Sequence, residues 1–168
     1  MKRIKVGGLM QSDGRALVRV LSVPDRPGIA GAILSELGQY GINIEFLVEG
    51  TDMEGCGNFT FCIDQKDLGT ALGVLAGVKG RVEAKGITYT PDVAILSIFG
   101  PHLREKPQVP GLMFNALASC GINVMAISTS ISTVSCVIEG IHLEEAIRAL
   151  QEVFEIPYHQ VRRRPRDY

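Results

Sequence analysis

The segment Val23-Pro24-Asp25-Arg26-Pro27-Gly28-Ile29-Ala30 is where residue types and spacing in this 168-residue chain most suggest binding chemistry. A Leu- and Val-rich run ends at Pro24, and apolar residues recur at helical spacing from Ile29, so the segment reads as a strand-to-helix turn. As a plain connection it uses Asp25 as N-cap and Pro27 as an early helical position. The same turn also has a chemical side. The first backbone N–H groups of a helix have no internal acceptor and lie at the positive end of its dipole, so they can receive a carboxylate, and Gly28 lets a ligand approach the backbone closely. A nearby carboxylate, Asp25 or Glu49, would accept an ammonium group. A site with both features suits a free amino acid.

Other chemistry finds little support. His102, His142 and His159 are isolated from one another and fall near element ends, which is the placing of solvated or capping histidines and not of a metal cluster. There is no GxxxxGK[ST], no GxGxxG after a strand and no HExxH. Gly55-Cys56-Gly57 reads as a hairpin tip. Glu139, Glu144 and Glu145 surround a helix start, where negative charge opposes the dipole. Cys62, Cys120 and Cys136 lie within apolar runs and no CxxC occurs, so the thiols read as small buried hydrophobes. We therefore expect no cofactor, no metal and no catalytic group. A net charge of −1 creates no field to gather nucleic acid or an anionic membrane. No apolar run reaches the roughly 20 residues of a membrane span, and Met1 to Met10 lacks a signal-peptide core, so a cytoplasmic location is expected. Arg162, Arg163, Arg164 and Arg166 form a basic tail read as a solvated terminus.

The elements that must position these residues are organised by an internal repeat. Pro27, Ile29 and Gly41-Ile42-Asn43-Ile44 recur at an offset of 80 as Pro107, Val109 and Gly121-Ile122-Asn123-Val124. Beyond those strands the offset becomes 75: Ile63-Asp64 and Leu68, Ala71, Leu72, Leu75 match Ile138-Glu139 and Leu143, Ala146, Ile147, Leu150. A duplicated domain whose second copy has lost five residues at one hairpin gives this pattern. In the first copy, strands are expected over 16–23, 43–48, 58–63 and 81–88, with helices running from Ile29 to a C′ glycine at Gly41 and through Leu68 to Val78. The second copy repeats this as 94–100, 109–119, 123–130, 133–139, 143–154 and 158–162. The order β-α-β-β-α-β is α+β, with two helices on one face of a four-stranded antiparallel sheet. The expected division is an N-terminal extension over 1–15, a first module over 16–90 and a second over 91–168. The Ile4 to Leu9 stretch could add an edge strand to either sheet.

With these residues in view, the chain resembles the ACT family, and in particular the tandem ACT pair of the aspartate kinase regulatory region. The resemblance rests on Val23 to Ala30, on Gly41-Ile42-Asn43-Ile44-Glu45, and on Gly121-Ile122-Asn123-Val124 followed by Ile127-Ser128-Thr129-Ser130. It implies ferredoxin-like modules that bind an effector amino acid, commonly lysine or threonine, where ACT modules meet across a dimer. It also implies a signal passed to a kinase, whose catalytic domain this sequence does not contain. By resemblance the ligand-facing positions are Asp25, Gly28, Ile29, Ala30, Asn43 and Glu49, facing Val109, Pro110, Ile122 and Asn123 of a second copy. The implied partners are a free amino acid, a second copy in a homodimer and a separate enzyme subunit. An alternative is an interaction module that binds no ligand and only assembles with such a subunit. The sequence departs from the family pattern at Glu49, where glutamine is usual, at Gln108, where glycine is expected, and at Met125 and Ile131 in place of acidic residues.

Overall fold

A computed structural model of the chain describes residues 2–162. The strands are β1 (Ile4–Lys5), β2 (Gly8–Pro24), β3 (Phe46–Thr51), β4 (Cys56–Asp64), β5 (Gly86–Phe99), β6 (Ala126–Thr129), β7 (Thr133–Glu139), β8 (Phe154–Glu155) and β9 (His159–Arg162). The helices are α1 (Ile29–Gln39), α2 (Leu68–Lys79), α3 (Val109–Ser119) and α4 (Leu143–Val153), with short 3-10 turns at Gln65–Asp67, Leu103–Glu105 and Gly140–His142. Arg163, Arg164 and Arg166 of the basic tail lie outside the described residues. The chain divides into two compact units: Arg15–Pro91, and the segment up to Gly14 together with the chain from Asp92. It passes between them inside β2 and inside β5.

In the Arg15–Pro91 unit the strand order is β3-β4-β2-β5, and β4 is antiparallel to both β2 and β3. Alternation sends Ala16, Val18 and Val20 to the face that meets Ile29, Ile33 and Leu37 of α1 and Ala71, Leu75 and Val78 of α2. These residues form one apolar core, whose burial supplies most of the unit's stability. On the other face Leu17, Cys62 and Phe46 are register partners across β2, β4 and β3, and all three are buried. Beside them Arg15, 3% exposed, reaches Glu45 at 2.9 Å and Asp64 at 3.2 Å.

In the other unit β7 is antiparallel to β5 and β6, and its core joins Leu96, Ile98 and Cys136 to Met113 and Leu117 of α3 and Ala146 and Leu150 of α4. The α+β architecture is the one expected. The strand expected over 158–162 appears as β9 and pairs parallel with Leu9–Ser12 of β2, while β8, which pairs parallel with β1, was not foreseen by the repeat. The N-terminal stretch left unassigned by the sequence thus completes this unit, where Leu9 is fully buried beside Phe154.

The duplication is visible in backbone detail. Gly41 and Gly121 both have φ of 71° and close the same motif: the Ile42 N–H donates to Leu37 O at 3.1 Å, and the Ile122 N–H donates to Leu117 O at 3.1 Å. The residues before the two downstream 3-10 turns, Asp64 and Glu139, share φ of −61° with ψ of 133° and 135°. Glu144 and Glu145 occupy the first turn of α4, as expected.

Several boundaries differ from expectation. Residues 81–85 form a turn, with Glu83 at φ of 57°, so the fourth strand starts at Gly86 and continues as β5 through the expected break at 90–91. β3 starts at Phe46 because 43–45 are spent leaving the α1 cap. The β3–β4 tip is 52–55, held by the Asp52 carboxylate, which accepts the N–H groups of Glu54 at 2.9 Å and Cys56 at 3.0 Å. Those donors keep the Asp52 carboxyl below the usual carboxylate range. Cys56 and Gly57 already belong to β4. Cys120, expected inside, is exposed because it caps α3, whereas Cys62 and Cys136 are buried.

Candidate functional site

The local structure at the first helix start overturns one expectation. Asp25 does not cap α1 and Pro27 is not in its first turn: the helix starts at Ile29, and the cap position is Gly28, at φ of 95° and without a side-chain cap bond. Only a glycine adopts that conformation at little cost. The first i→i−4 bond of the helix runs from the Ala32 N–H to Gly28 O at 2.9 Å, so the helix itself offers no acceptor to the N–H groups of Ile29, Ala30 and Gly31.

The strand leading into this turn is bent. The β2–β4 register shifts between Val20 and Val23, Ser22 takes φ of 53°, and its N–H donates to Asn58 Oδ1 at 3.0 Å, while Leu21 O accepts from the Lys85 N–H at 3.0 Å. A bulge of this kind re-aims a strand end. Here it places Val23 and Pro24 at one side of an open cleft of about 460 Å³, with Asp25 to Ala30 as its rim and floor and Leu47, Glu49, Gly57 and Phe59 opposite. Leu47 and Glu49 share a face of β3, and Glu49 is the cross-strand partner of Phe59. Gly57 makes the room: a Cβ there would stand 3.2 Å from Glu49 Oε1 and 3.2 Å from Val23 Cγ2. Arg26 pairs with Glu83 at 2.8 Å on the exposed rim, which leaves Asp25 and Glu49 as the acidic groups of the lining.

The equivalent turn of the other unit is built differently. Nine residues separate β5 from α3 where four separate β2 from α1. Gln108, the counterpart of Gly28, has an ordinary helical φ of −77°, and the Val109 N–H donates to Lys106 O at 3.0 Å. The first donor of α3 is therefore occupied. The cleft here is smaller, about 230 Å³, with Pro107, Pro110, Thr129 and Ile131 in its lining.

Of the residues singled out from sequence, Asp25, Gly28, Ile29, Ala30 and Glu49 come together in the first cleft. Asn43 does not line it; it is exposed past the opposite end of α1. Val109 and Pro110 line the second cleft, while Ile122 belongs to the core and Asn123 is exposed. Val23, Leu47, Gly57 and Phe59 were missed as lining residues. The β3 alternation that pairs Leu47 with Glu49 was available in the sequence, but the bulge that brings Val23 round was not. His102 and His142 approach Glu105 at 3.7 Å and Glu145 at 3.9 Å, and His159 hydrogen-bonds Gln11 at 2.6 Å; no cluster of metal-binding side chains occurs among the described residues. No described helix is long and apolar enough to cross a membrane.

Two ferredoxin-like βαββαβ modules, one with an open helix start over an acidic and apolar cleft, define the class of tandem regulatory domains. The chain belongs to the ACT domain family: the family's models match residues 16–79 and 96–154. An aspartate kinase of Stutzerimonas stutzeri is 33% identical over 156 residues, which cover 93% of this chain and 38% of the relative. The chain thus spans well under half the length of that enzyme. The ligand-free regulatory subunit of aspartate kinase from Thermus thermophilus superposes with a TM-score of 0.80 at 31% identity, covering 89% of this chain and 99% of that subunit. A structure of aspartokinase α and β subunits gives a TM-score of 0.80 at 29% identity, covering 88% and 97%.

Proposed function

We propose that the chain is the amino-acid-sensing regulatory part of an aspartate kinase, binding a small effector such as lysine or threonine in the first cleft and containing no kinase machinery of its own. The observation that supports this most is the juxtaposition of the α1 N–H groups with Asp25 and Glu49 across one cleft. An effector's carboxylate meets the helix start, its ammonium meets a carboxylate, and its side chain lies on Leu47, Phe59 and Val23. The cleft is open on one side, and a second copy, presenting Pro110 and Asn123, would complete it in a homodimer; Val109 and Ile122 are buried within their own copy. β3 ends the sheet of its unit with Leu47 exposed, the kind of edge that pairing covers. The match along nearly the full length of a separate Thermus thermophilus regulatory subunit supports assembly with a catalytic subunit.

The occupied donor at Val109 and the smaller second cleft favour one effector per copy. Thermal unfolding against the twenty amino acids, each at about 10 mM, tests the reading. An effector at about 100 times its Kd adds roughly 2.7 kcal/mol and raises the midpoint by several degrees. One or two selective stabilisers support a sensor; a flat response across the panel favours an assembly module that binds no ligand.

A further inference from the structure

A cavity of about 280 Å³ lies between the N-terminal strand and the 3-10 turn that precedes α3, sharing Leu103 and Lys106 with the second cleft. Its walls are Val6, Leu103, Pro101 and Pro157, and the backbones of Gly7 and Gly100 close it at the base. Those two backbones touch: a Cβ on Gly7 would stand 2.8 Å from Phe99 O, and one on Gly100 would stand 2.9 Å from Gly7 N. A side chain at either position would force the two backbones apart. The Gly7 and Gly100 N–H groups are already used, donating to Phe99 O at 2.7 Å and Ser132 O at 2.9 Å, so the charged groups of this cavity are side chains.

The two lysines of the lining, Lys5 and Lys106, are cationic. The Lys106 ammonium donates one hydrogen bond to Lys5 O, which ties the 3-10 turn to β1 and holds the charge at the cavity; two of its three donors remain for a ligand. Lys5 and His102 also line the cavity. The acidic groups nearby are Glu105, 3.7 Å from His102, and Glu155, the strand partner of Lys5; neither is in the lining. The lining contains no carboxylate to pair with an ammonium, which separates this cavity from the first cleft.

We propose that this cavity is a second binding site, for a small monocarboxylate with a compact branched apolar body and no amino group, its carboxylate held by Lys106. The volume is at the lower end for ligand pockets, which limits the occupant to a small molecule. Calorimetry and thermal unfolding with 4-methylpentanoate, its uncharged amide and inorganic phosphate test this on the full chain. The carboxylate is expected to bind and stabilise, with the amide and phosphate each about tenfold weaker or worse, a loss of one charge-assisted contact or of the apolar contact. Lys106→Met should weaken the carboxylate by a similar factor and Lys106→Arg should retain it. Equal binding of the amide or of phosphate, full binding by a folded Lys106→Met variant, or no response to the carboxylate would overturn the assignment. Loss of binding in Lys106→Met assigns the carboxylate to this cavity and not to the first cleft, whose lining does not include Lys106.

Discussion

Glu49 reaches the first cleft only because Gly57 opposite it has no side chain. A carboxylate there attracts the cationic part of a ligand and repels an anionic part, and in a partly desolvated cleft a like-charge contact costs up to several kcal/mol. Glu49→Gln should therefore change which amino acids stabilise the protein in the thermal panel; an identical profile would remove Glu49 from the site. Gly28 is a different kind of determinant. A methyl there meets nothing within 4 Å, so Gly28→Ala produces no clash, and its cost comes from a φ of 95°. Urea unfolding should show a loss of about 1–2 kcal/mol. The sequence revealed Gly28 as a site of close approach but assigned the cap to Asp25, because an Asp-x-Pro-Gly string reads as a cap followed by a first turn. A glycine in the left-handed region ends that turn one residue before the helix, a backbone choice with no separate signature in residue type.

The elements copy one another closely enough for paired substitutions to be informative. Gly41 and Gly121 close α1 and α3 at the same φ of 71°, and no atom lies within 4 Å of either missing Cβ. Gly41→Ala and Gly121→Ala should each cost about 1 kcal/mol and agree to within a few tenths. A large inequality between them in chemical denaturation would mean that one cap is coupled to something beyond its own turn. The repeat and its helices were legible because apolar spacing and Gly-Ile-Asn strings survive duplication, and α3 and β7 have the bounds read from sequence. The departures, 81–85 as turn and 43–45 as coil, involve residues whose β-compatible types are overridden by the need to leave a helix. Asn43, Ile122 and Asn123 were carried into the site by resemblance; within one copy Asn43 and Asn123 are exposed at helix exits and Ile122 is buried.

At the scale of the molecule, one cysteine is buried in each unit, Cys136 in its apolar core and Cys62 on the sheet face away from the helices. Burial pushes the Cys62 and Cys136 thiols from 9.0 up to about 12, and Glu45 adds to the shift at Cys62. Both groups are protonated in folded and unfolded chains below pH 9, so they do not alter stability there. Between about 9 and 12 the unfolded chain releases protons that the folded chain keeps, and each thiol then removes about 1.4 kcal/mol of stability per pH unit. Cys62→Ala and Cys136→Ala should each make the decline in unfolding free energy above pH 9 shallower, whatever they do at pH 7. What the sequence did not show at this scale was the owner of the N-terminal strand, since a two-residue pairing such as Ile4 with Phe154 has no local pattern to announce it. That pairing bears on how the protein is made. On the ribosome, the Arg15–Pro91 unit has all its residues in hand long before Phe154 emerges, whereas the other unit must keep Val6 and Leu9 waiting for partners about 150 positions downstream. Prior folding of the intervening unit shortens the disordered loop that joins them and so lowers the entropy of closing it. Slowing the folding of the inserted unit should therefore leave the nascent host open to aggregation or proteolysis even when its own residues are untouched.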